Sequence, residues 1–307
     1  MPGEAGLTGS LALEATGLGK RYGSQWALRD CDLEIPTGSV TALVGPNGAG
    51  KTTLLQLAIG LARPSEGTVR VLGHLPREEA GAMLPRVGFV AQEHPLYAGF
   101  SVRETLELGR RLNPTWDGEG ARARIDHIGL PLRQKVGSLS GGQQAQVALT
   151  LALAKRPELL LLDEPVASLD PLARREFLQS VMEAVAETGM TVILSSHIVA
   201  DLERVCDHLV ILSRARTQLV GSIDEIVAAH RLLTGPRNDA AAVARVHDVI
   251  RESHTERQTT LLVRADGHVY DSCWQLHELD LEEIVLAYLG YGTIAPRHPL
   301  EQEAVSR

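Results

Sequence analysis

The sequence predicts an α/β protein whose central sheet is mostly parallel. Three short runs, residues 39–44, 159–162 and 191–195, are rich in apolar and β-branched side chains, which is typical of strands buried on both faces. Longer helical patterns lie between such runs, for example at residues 171–188. Because strands that alternate with helices build a parallel sheet covered by helices, we expect this architecture for most of the chain.

The other elements are predicted from local patterns. Residues 11–18 and 27–35 alternate apolar and polar side chains and predict an antiparallel β part near the N-terminus. A capping-box pattern at Ser101 opens a polar helical stretch, which predicts an inserted α-helical subdomain at about residues 93–147. Further strands are predicted at 67–72, 87–91 and 209–212, and further helices at 53–61, 140–155 and 199–205.

A Gly-Pro pair at positions 235–236 marks the predicted domain boundary. It separates a large domain, residues 11–234, from a small C-terminal α+β extension, residues 235–307, to which the sequence gives no role. The extension contains a predicted strand at 259–263 and a predicted amphipathic helix at 281–289. This helix has two possible roles, either capping a dimer or completing the fold.

Composition narrows the function classes. With 44% hydrophobic and 22% charged residues, the 307-residue chain is typical of a globular protein. It has no apolar run of about 18 residues that could span a bilayer and no basic, apolar secretory signal at its start, so we expect a cytoplasmic protein. The net charge of −8 argues against nucleic acid as a partner, because proteins that bind it usually carry a basic surface.

A phosphate-binding loop is predicted at residues 45–52, which match the pattern GxxxxGK[ST] in full. Glycines let successive backbone N–H groups turn towards phosphate oxygens, and the following helix N-terminus favours an anion. Lys51 is then placed for the β- and γ-phosphates and Thr52 for Mg²⁺. We therefore predict a P-loop NTPase core that binds ATP and Mg²⁺ through Gly45, Pro46, Asn47, Gly48, Ala49, Gly50, Lys51, Thr52 and Thr53.

Two acids follow the apolar run at 159–162, namely Asp163 and Glu164. Acids at the end of a buried strand are costly unless they meet a cation or a reacting water. A phosphate loop needs a carboxylate that holds the metal at the end of a neighbouring strand, and Asp163 fits this role. Glu164 is predicted to be the general base that activates the attacking water.

The segment 139–143, Leu-Ser-Gly-Gly-Gln, lies between the phosphate loop and the acids. With these motifs in this order, residues 11–229 resemble the ATP-binding cassette (ABC) transporter ATPases. The resemblance implies ATP hydrolysis at a site shared by two subunits. The segment 139–143 of one subunit, through Ser140, Gly141, Gly142 and Gln143, would close over the nucleotide held by the other.

The resemblance also implies roles for isolated residues. Tyr22 matches the aromatic residue that stacks on adenine, and Gln92 matches the glutamine that contacts Mg²⁺ and the attacking water. Asp170 belongs to the loop that crosses to the partner subunit, and His197 matches the histidine that contacts the γ-phosphate. The catalytic set is then Lys51, Gln92, Glu164 and His197, and the metal set is Thr52, Gln92 and Asp163.

One position departs from the family pattern. The residue after the Leu-Ser-Gly-Gly-Gln segment is commonly basic in the family, whereas this chain has Gln144. We expect a weaker local charge contact there and no loss of ATP hydrolysis.

The resemblance implies two kinds of partner. A second cassette is needed, in a homodimer with two working sites or in a heterodimer with a different cassette subunit. A multi-span membrane permease would supply the pore, with this chain on the cytoplasmic face of the membrane. Leu96, Tyr97 and Phe100, just past Gln92, either dock that permease or pack within the insert.

The task of the ATPase is predicted less directly. A single cassette with a short C-terminal extension resembles bacterial exporter ATPases, with drug and antibiotic exporters as the nearest likeness. The alternative is a soluble ABC-type ATPase that is not coupled to transport, for example one that serves iron–sulphur assembly. Transport coupling requires a membrane partner, which the alternative lacks.

Overall fold

The computed structural model describes residues 10–236, 243–255, 258–265, 274–277 and 279–290. In this part of the chain the strands are β1 Leu11–Tyr22, β2 Gln25–Pro36, β3 Val40–Val44, β4 Glu66–Val71, β5 Val87–Val90, β6 Leu159–Leu162, β7 Thr191–Ser196, β8 His208–Ser213, β9 Arg216–Ser222, β10 His230–Pro236, β11 Asp248–His254, β12 Gln258–Arg264 and β13 Gln275–His277. The helices are α1 Lys51–Ala58, α2 Ala80–Met83, α3 Val102–Leu112, α4 Gly118–His127, α5 Gly141–Ala154, α6 Pro171–Thr188, α7 Val199–Leu202, α8 Ile223–Ala229 and α9 Leu281–Leu289.

A six-stranded sheet in the order β5-β6-β7-β3-β8-β9 forms the centre of the molecule. All its neighbouring strands are parallel except β9, which runs antiparallel to β8. The predicted α/β class with a mostly parallel sheet is thereby confirmed.

Both faces of this sheet are covered. Every residue of β3 and β6 is buried. Along β6, Leu160 and Leu162 face an apolar cluster shared with α5 and α6, whereas Leu159 and Leu161 face a second cluster shared with α1. Burial on two faces explains why these strands read as unbroken apolar runs.

The N-terminal β part is a separate antiparallel sheet in the order β2-β1-β4, as predicted. Its buried side chains, among them Leu13, Leu18 and Leu28, join the cluster beneath α1. This sheet therefore packs against the helix that follows the phosphate loop and forms one wall beside it.

The predicted helical insert is also present. Ser101 begins α3 with a full capping box, because its Oγ accepts a hydrogen bond from Glu104 N at 3.2 Å and its own N–H donates to Glu104 Oε2 at 2.6 Å. Val102 of α3 and Ile125 of α4 pack with Val147 of α5 in a small core of their own.

Two predicted helices have shifted limits. The helix expected at 53–61 spans Lys51–Ala58, and it begins at Lys51 because Gly50 is its N-cap and Leu54 N donates to Gly50 O at 2.8 Å. The helix expected at 199–205 ends at Leu202, after which Val205 N and Cys206 N both bond back to Leu202 O in a turn.

The predicted boundary before residue 235 is corrected. Strand β10 crosses it and pairs with β12 and β13 in a four-stranded sheet of order β11-β12-β10-β13, so the C-terminal sheet begins at His230. Gly235 is not a linker glycine: a Cβ there would lie 2.5 Å from Cδ2 of Trp274, so the strand needs glycine to admit the indole ring.

Helix α9 packs into the core of the chain, as the second of its two predicted roles requires. Asp280 caps it by accepting a hydrogen bond from Glu283 N at 2.8 Å. Leu281, Ile284 and Val285 are buried in the cluster that also contains α6. Among the described helices, none combines the length and apolar character needed to cross a bilayer.

Candidate active site

The loop from Gly45 to Gly50 connects β3 to α1. At its first and last positions only glycine fits, because a Cβ would collide with neighbouring backbone. A Cβ on Gly45 would lie 2.3 Å from Leu212 O, and a Cβ on Gly50, where φ is 107°, would lie 2.5 Å from Ala27 O. The loop is therefore pressed against β8 and β2, with the N-terminus of α1 opening above it. Such a backbone cradle at a helix N-terminus suits phosphate groups.

Lys51 is almost completely buried, with 4% of its surface exposed. Its Nζ donates hydrogen bonds to Gly45 O at 2.8 Å and to Pro46 O at 3.3 Å, and forms an ion pair with Glu164 Oε1 at 3.0 Å. The carbonyl groups of the loop thus hold the Lys51 ammonium group in place, so that it provides a positive charge at a fixed position.

Glu164 occupies a strained turn immediately after β6. Its φ is 43°, a region that residues other than glycine enter at a cost. Its Oε2 lies 3.1 Å from Nδ1 of the half-exposed His197, and its Oε1 meets Lys51. Burial acts to raise the pKa of Glu164, but Lys51 and His197 outweigh this effect and hold the pKa below its ordinary value. The carboxylate is therefore ionised at neutral pH, as a general base must be.

Asp163 is 3% exposed, and two hydroxyl groups bind the same carboxylate oxygen. Thr52 Oγ1 donates to Oδ1 at 3.1 Å and Ser195 Oγ donates to it at 3.0 Å. Burial raises the pKa of this carboxyl, and the two hydrogen bonds act in the opposite direction. The hydroxyl of Thr52 and the carboxylate of Asp163 are hard oxygen donors of the kind that Mg²⁺ prefers, so the residues fit this ion.

Apart from the buried Asp163, the side chains of this site border one pocket of about 590 Å³. The predicted residues that line it are Tyr22, Asn47, Gly48, Gly50, Lys51, Thr52, Thr53, Gln92, Glu164 and His197. Three predicted residues support the loop from behind instead: Gly45, Pro46 and Ala49, whose N–H donates to Pro46 O at 3.1 Å.

Sequence reasoning missed Gln25, Trp26, Ala27 and Ala167, which also line the pocket. The first three could have been found, because a two-residue turn after Tyr22 places Gln25 directly opposite it in the β1–β2 hairpin. It also missed Ser195, which touches both acids. The available signal was a serine at the end of a buried strand next to the strand that carries Asp163.

The segment 139–143 lies outside this pocket. Ser140 caps α5, where its Oγ accepts from Gln143 N at 3.2 Å and its N–H donates to Gln143 Oε1 at 3.0 Å. Ser140, Gly142 and Gln143 line a separate groove of about 410 Å³ against α6. A Cβ on Gly142 would lie 2.9 Å from Cβ of Ala173, whereas Gly141 has room for one. Within one chain, therefore, the two motifs do not meet.

Two further residues have defined local roles. Asp170 caps α6, because its Oδ1 accepts from Leu172 N and Ala173 N, both at 3.0 Å. Gln144, the departure from the family pattern, donates from Nε2 to Leu139 O at 3.1 Å. Its amide therefore binds the backbone that precedes α5, a contact made without charge.

Comparison with known proteins agrees with this geometry. The sequence profile of the ABC transporter family matches residues 28–167. The daunorubicin resistance ATP-binding protein DrrA3 of Streptomyces coeruleorubidus is 35% identical over 71% of the chain and 70% of its own length. The linearmycin resistance ATP-binding protein LnrL of Bacillus subtilis is 29% identical over 91% of the chain and 98% of its own.

An importer protein and a solved structure are similar as well. The sulfate/thiosulfate import ATP-binding protein CysA of Synechococcus elongatus is 34% identical over 71% of the chain, which spans 64% of that relative's length. A dimeric ATP-binding cassette, solved in a post-hydrolysis state with ADP and Pi, superposes with a TM-score of 0.60 at 25% identity. It covers 68% of this chain and 98% of its own.

Proposed function

The chain belongs to the ATP-binding proteins of the ABC transporter family and is an ATPase, and we propose that it drives export through a separate multi-span membrane protein. In this proposal ATP binding closes two cassettes on each other, and hydrolysis reopens them. The cycle would move the membrane partner between its two facing states. The chain would work on the cytoplasmic face of the membrane.

The proposed chemistry is in-line attack of a water on the γ-phosphate. Glu164 accepts the proton of that water, and its carboxylate is already ionised and aimed by Lys51 and His197. When ATP binds, the Lys51 ammonium turns from Glu164 towards the β- and γ-phosphates, which frees the carboxylate for the water. His197 then contacts the γ-phosphate, and Tyr22 at the edge of the pocket stacks on adenine.

Mg²⁺ would neutralise charge on the phosphate oxygens when bound. Thr52 and Asp163 would hold it, with Gln92 beside the attacking water. The buried Asp163 carboxylate supports this assignment, because a buried acid is stabilised by a cation.

The second half of the site would come from another cassette. Ser140, Gly141, Gly142 and Gln143 present the N-terminus of α5, and no acidic residue lies in its first turn, so an anion would be favoured there. Asp170, at the start of α6, would lie at the same interface. Every motif is intact in this chain, which favours a homodimer, and the similar cassette structure with ADP and Pi is itself dimeric.

Coupling to a membrane partner is supported by one surface feature. Tyr97 is 66% exposed and Phe100 is also exposed, and their rings contact each other with centroids 5.1 Å apart. Leu96 beside them packs into the core of the insert and fixes the loop. Exposed aromatic pairs of this kind typify protein interfaces. The direction of transport is proposed as export because LnrL, a resistance protein, aligns over nearly its whole length and over 91% of this chain, which reaches into the C-terminal extension.

The proposal can be tested by identifying a multi-span membrane protein encoded next to the gene for this chain and co-purifying the two proteins. The double variant Tyr97→Ser, Phe100→Ser should keep its ATPase activity but lose most of its recovery with that membrane protein. Leu61→Ser is the matched control, since Leu61 is 71% exposed but lies outside the insert. Unchanged recovery of the double variant would remove the aromatic pair from the docking surface. Failure of the wild type to co-purify with the neighbour would favour the soluble alternative.

A further inference from the structure

Ser195 is a fully buried residue that no motif assigns to the active site. It lies in β7 between β6 and β3, with 0% of its surface exposed. Its single hydroxyl makes two hydrogen bonds to consecutive residues: it accepts from Glu164 N at 2.8 Å and donates to Asp163 Oδ1 at 3.0 Å. One side chain therefore contacts both acids that follow β6.

The bond to Glu164 takes the place of a ladder bond that β6 cannot make. The parallel pairing of β6 with β7 ends at Leu162 and Leu194, so the residues that follow Leu162 are not paired with β7. Glu164 turns away with φ at 43°, and the hydroxyl of Ser195 receives its N–H. Because the direction of the Glu164 side chain follows from that backbone angle, the hydroxyl helps to aim the carboxylate at Lys51 and His197.

The bond to Asp163 acts on the other acid. Oδ1 of Asp163 receives Ser195 from β7 and Thr52 from α1, so the carboxylate is clamped between two elements. A carboxylate fixed from two sides cannot rotate about its terminal bond, and its remaining lone pairs therefore keep one direction.

We propose that Ser195 is a positioning residue for ATP hydrolysis, whose hydroxyl fixes the backbone turn of Glu164 and the carboxylate plane of Asp163 together. The inference rests on the proposed roles of these two acids. Ser195 does not touch the nucleotide in this arrangement and acts only through its two neighbours. Misplacing a reacting group by about 1 Å can cost a hundredfold in rate, so a lost hydroxyl should be visible in turnover.

The first experiment compares three variants of the full chain. Ser195→Ala removes both hydrogen bonds, and Ser195→Thr retains a hydroxyl. Ser196→Ala is the matched control, because Ser196 Oγ is also buried but accepts its hydrogen bond from Ile198 N at 3.0 Å. We expect kcat of Ser195→Ala to fall about tenfold to a hundredfold, with the Kd of a fluorescent ADP analogue changed by less than about threefold. Ser195→Thr and Ser196→Ala should stay within about threefold of wild type in kcat.

The second measurement does not use turnover. With a non-hydrolysable ATP analogue, Mg²⁺ should tighten nucleotide binding, and we expect Ser195→Ala to reduce this gain about three- to tenfold because Asp163 is less well oriented. Ser195→Thr should leave the gain unchanged. This readout reports on Asp163 alone, so it still tests Ser195 if Glu164 proves not to be the base.

Two results would overturn the proposal. One is a kcat of Ser195→Ala within twofold of wild type together with an unchanged Mg²⁺ effect. The other is an equal loss in Ser195→Ala and Ser195→Thr while circular dichroism shows both folded, because then the hydroxyl is not what matters. If Ser195→Ala does not fold, Ser195→Cys takes its place, since a thiol of similar size is a weaker hydrogen-bonding group and should give a smaller fall in kcat.

Discussion

The nucleotide pocket and the groove beside Ser140 are opposite in how they use their polar groups. In the pocket, charged side chains already pair with one another across three elements: Lys51 with Glu164, and Glu164 with His197. Beside Ser140, the capping box joins Ser140 to Gln143, and Gln146 Nε2 donates to Ser180 Oγ of α6 at 3.4 Å, so these bonds join uncharged groups. The pocket is thus assembled by the fold of one chain, whereas the groove offers a helix N-terminus that the same chain does not use.

This difference supports the proposal that a single chain holds half of a catalytic site. The proposed base Glu164 and the ammonium of Lys51 line the pocket, and Asp163, the acid that suits a metal, is buried behind it, so all three would act from one side of a triphosphate. The N-terminus of α5 would supply the other side, but it lines a different groove. Stabilising charge on a transferred phosphoryl group from two sides therefore requires a second cassette.

The largest effect is expected from Glu164→Gln. Glutamine keeps the size of the side chain but cannot accept the proton of the attacking water, so phosphate release should fall by about two to four orders of magnitude. ATP binding should be retained, because Lys51 loses a competing ion pair and stays available for phosphate.

Glu158→Gln provides the control for this change. Glu158 also forms an ion pair, with Arg86 at 2.6 Å, but it lies outside the pocket. The turnover of Glu158→Gln should equal that of wild type. Near-normal phosphate release by Glu164→Gln would mean that another group serves as the base.

The pocket was predictable from sequence to the extent that its residues belong to local patterns. The phosphate loop and the acids after β6 are short motifs in which backbone geometry and chemistry coincide. Ser195 was not predictable in this way, because its contact with Asp163 joins residues far apart in the chain and exists only once β6 and β7 are neighbours.

The same reasoning applies to the rest of the fold. Elements with a strong period, such as α6 and α9, match their predicted limits. The boundary at Gly235 failed because glycine signals both a turn and a close approach, and only the position of Trp274 distinguishes the two. Gln144 was expected to weaken a charge contact, and its bond to Leu139 O is a contact that no sequence pattern predicts.

An intermediate effect is expected from complementation, which asks directly whether the groove serves another chain. Lys51→Ala should inactivate the pocket and Ser140→Arg the groove, where the exposed Ser140 leaves room for arginine within one chain. Each variant alone should be inactive. In an equal mixture about half of the dimers combine both variants and carry one intact site of two, so about a quarter of wild-type ATPase activity should return.

Mixtures with Glu164→Gln provide the control for that recovery. All chains are mixed before ATP is added, and each of the two variants is mixed with Glu164→Gln, whose defect lies in the pocket. Lys51→Ala with Glu164→Gln should stay inactive, since both defects lie in the pocket. A silent mixture of Lys51→Ala and Ser140→Arg would contradict the homodimer and favour a different cassette as partner.

The smallest effect compares two serines with the same local structure. Ser101 and Ser140 each open a helix with a complete capping box. Replacing either with alanine should lower the free energy of unfolding by about 1 kcal/mol, the usual cost of a lost N-cap, measured by urea denaturation. ATPase activity should fall only in Ser140→Ala, by about tenfold, since only that cap would also face a nucleotide.

The two caps should also differ in how their contribution to stability depends on pH, because only the cap at Ser101 contains a titratable group, Glu104. Hydrogen bonds from the backbone N–H and hydroxyl of Ser101, with Lys135 nearby, lower the pKa of Glu104 to about 2. A lowered pKa stabilises the fold above the ordinary value for glutamate, about 4.3, and this stabilisation is lost as pH falls towards 2. The destabilisation caused by Ser101→Ala should therefore shrink from pH 5 downwards, while that of Ser140→Ala, whose partner Gln143 does not titrate, stays constant. Equal pH dependence in the two variants would mean that Glu104 does not set the acid response of the α3 cap. An equal loss of ATPase activity would mean that Ser140 acts only as a helix cap and that the groove has no separate task.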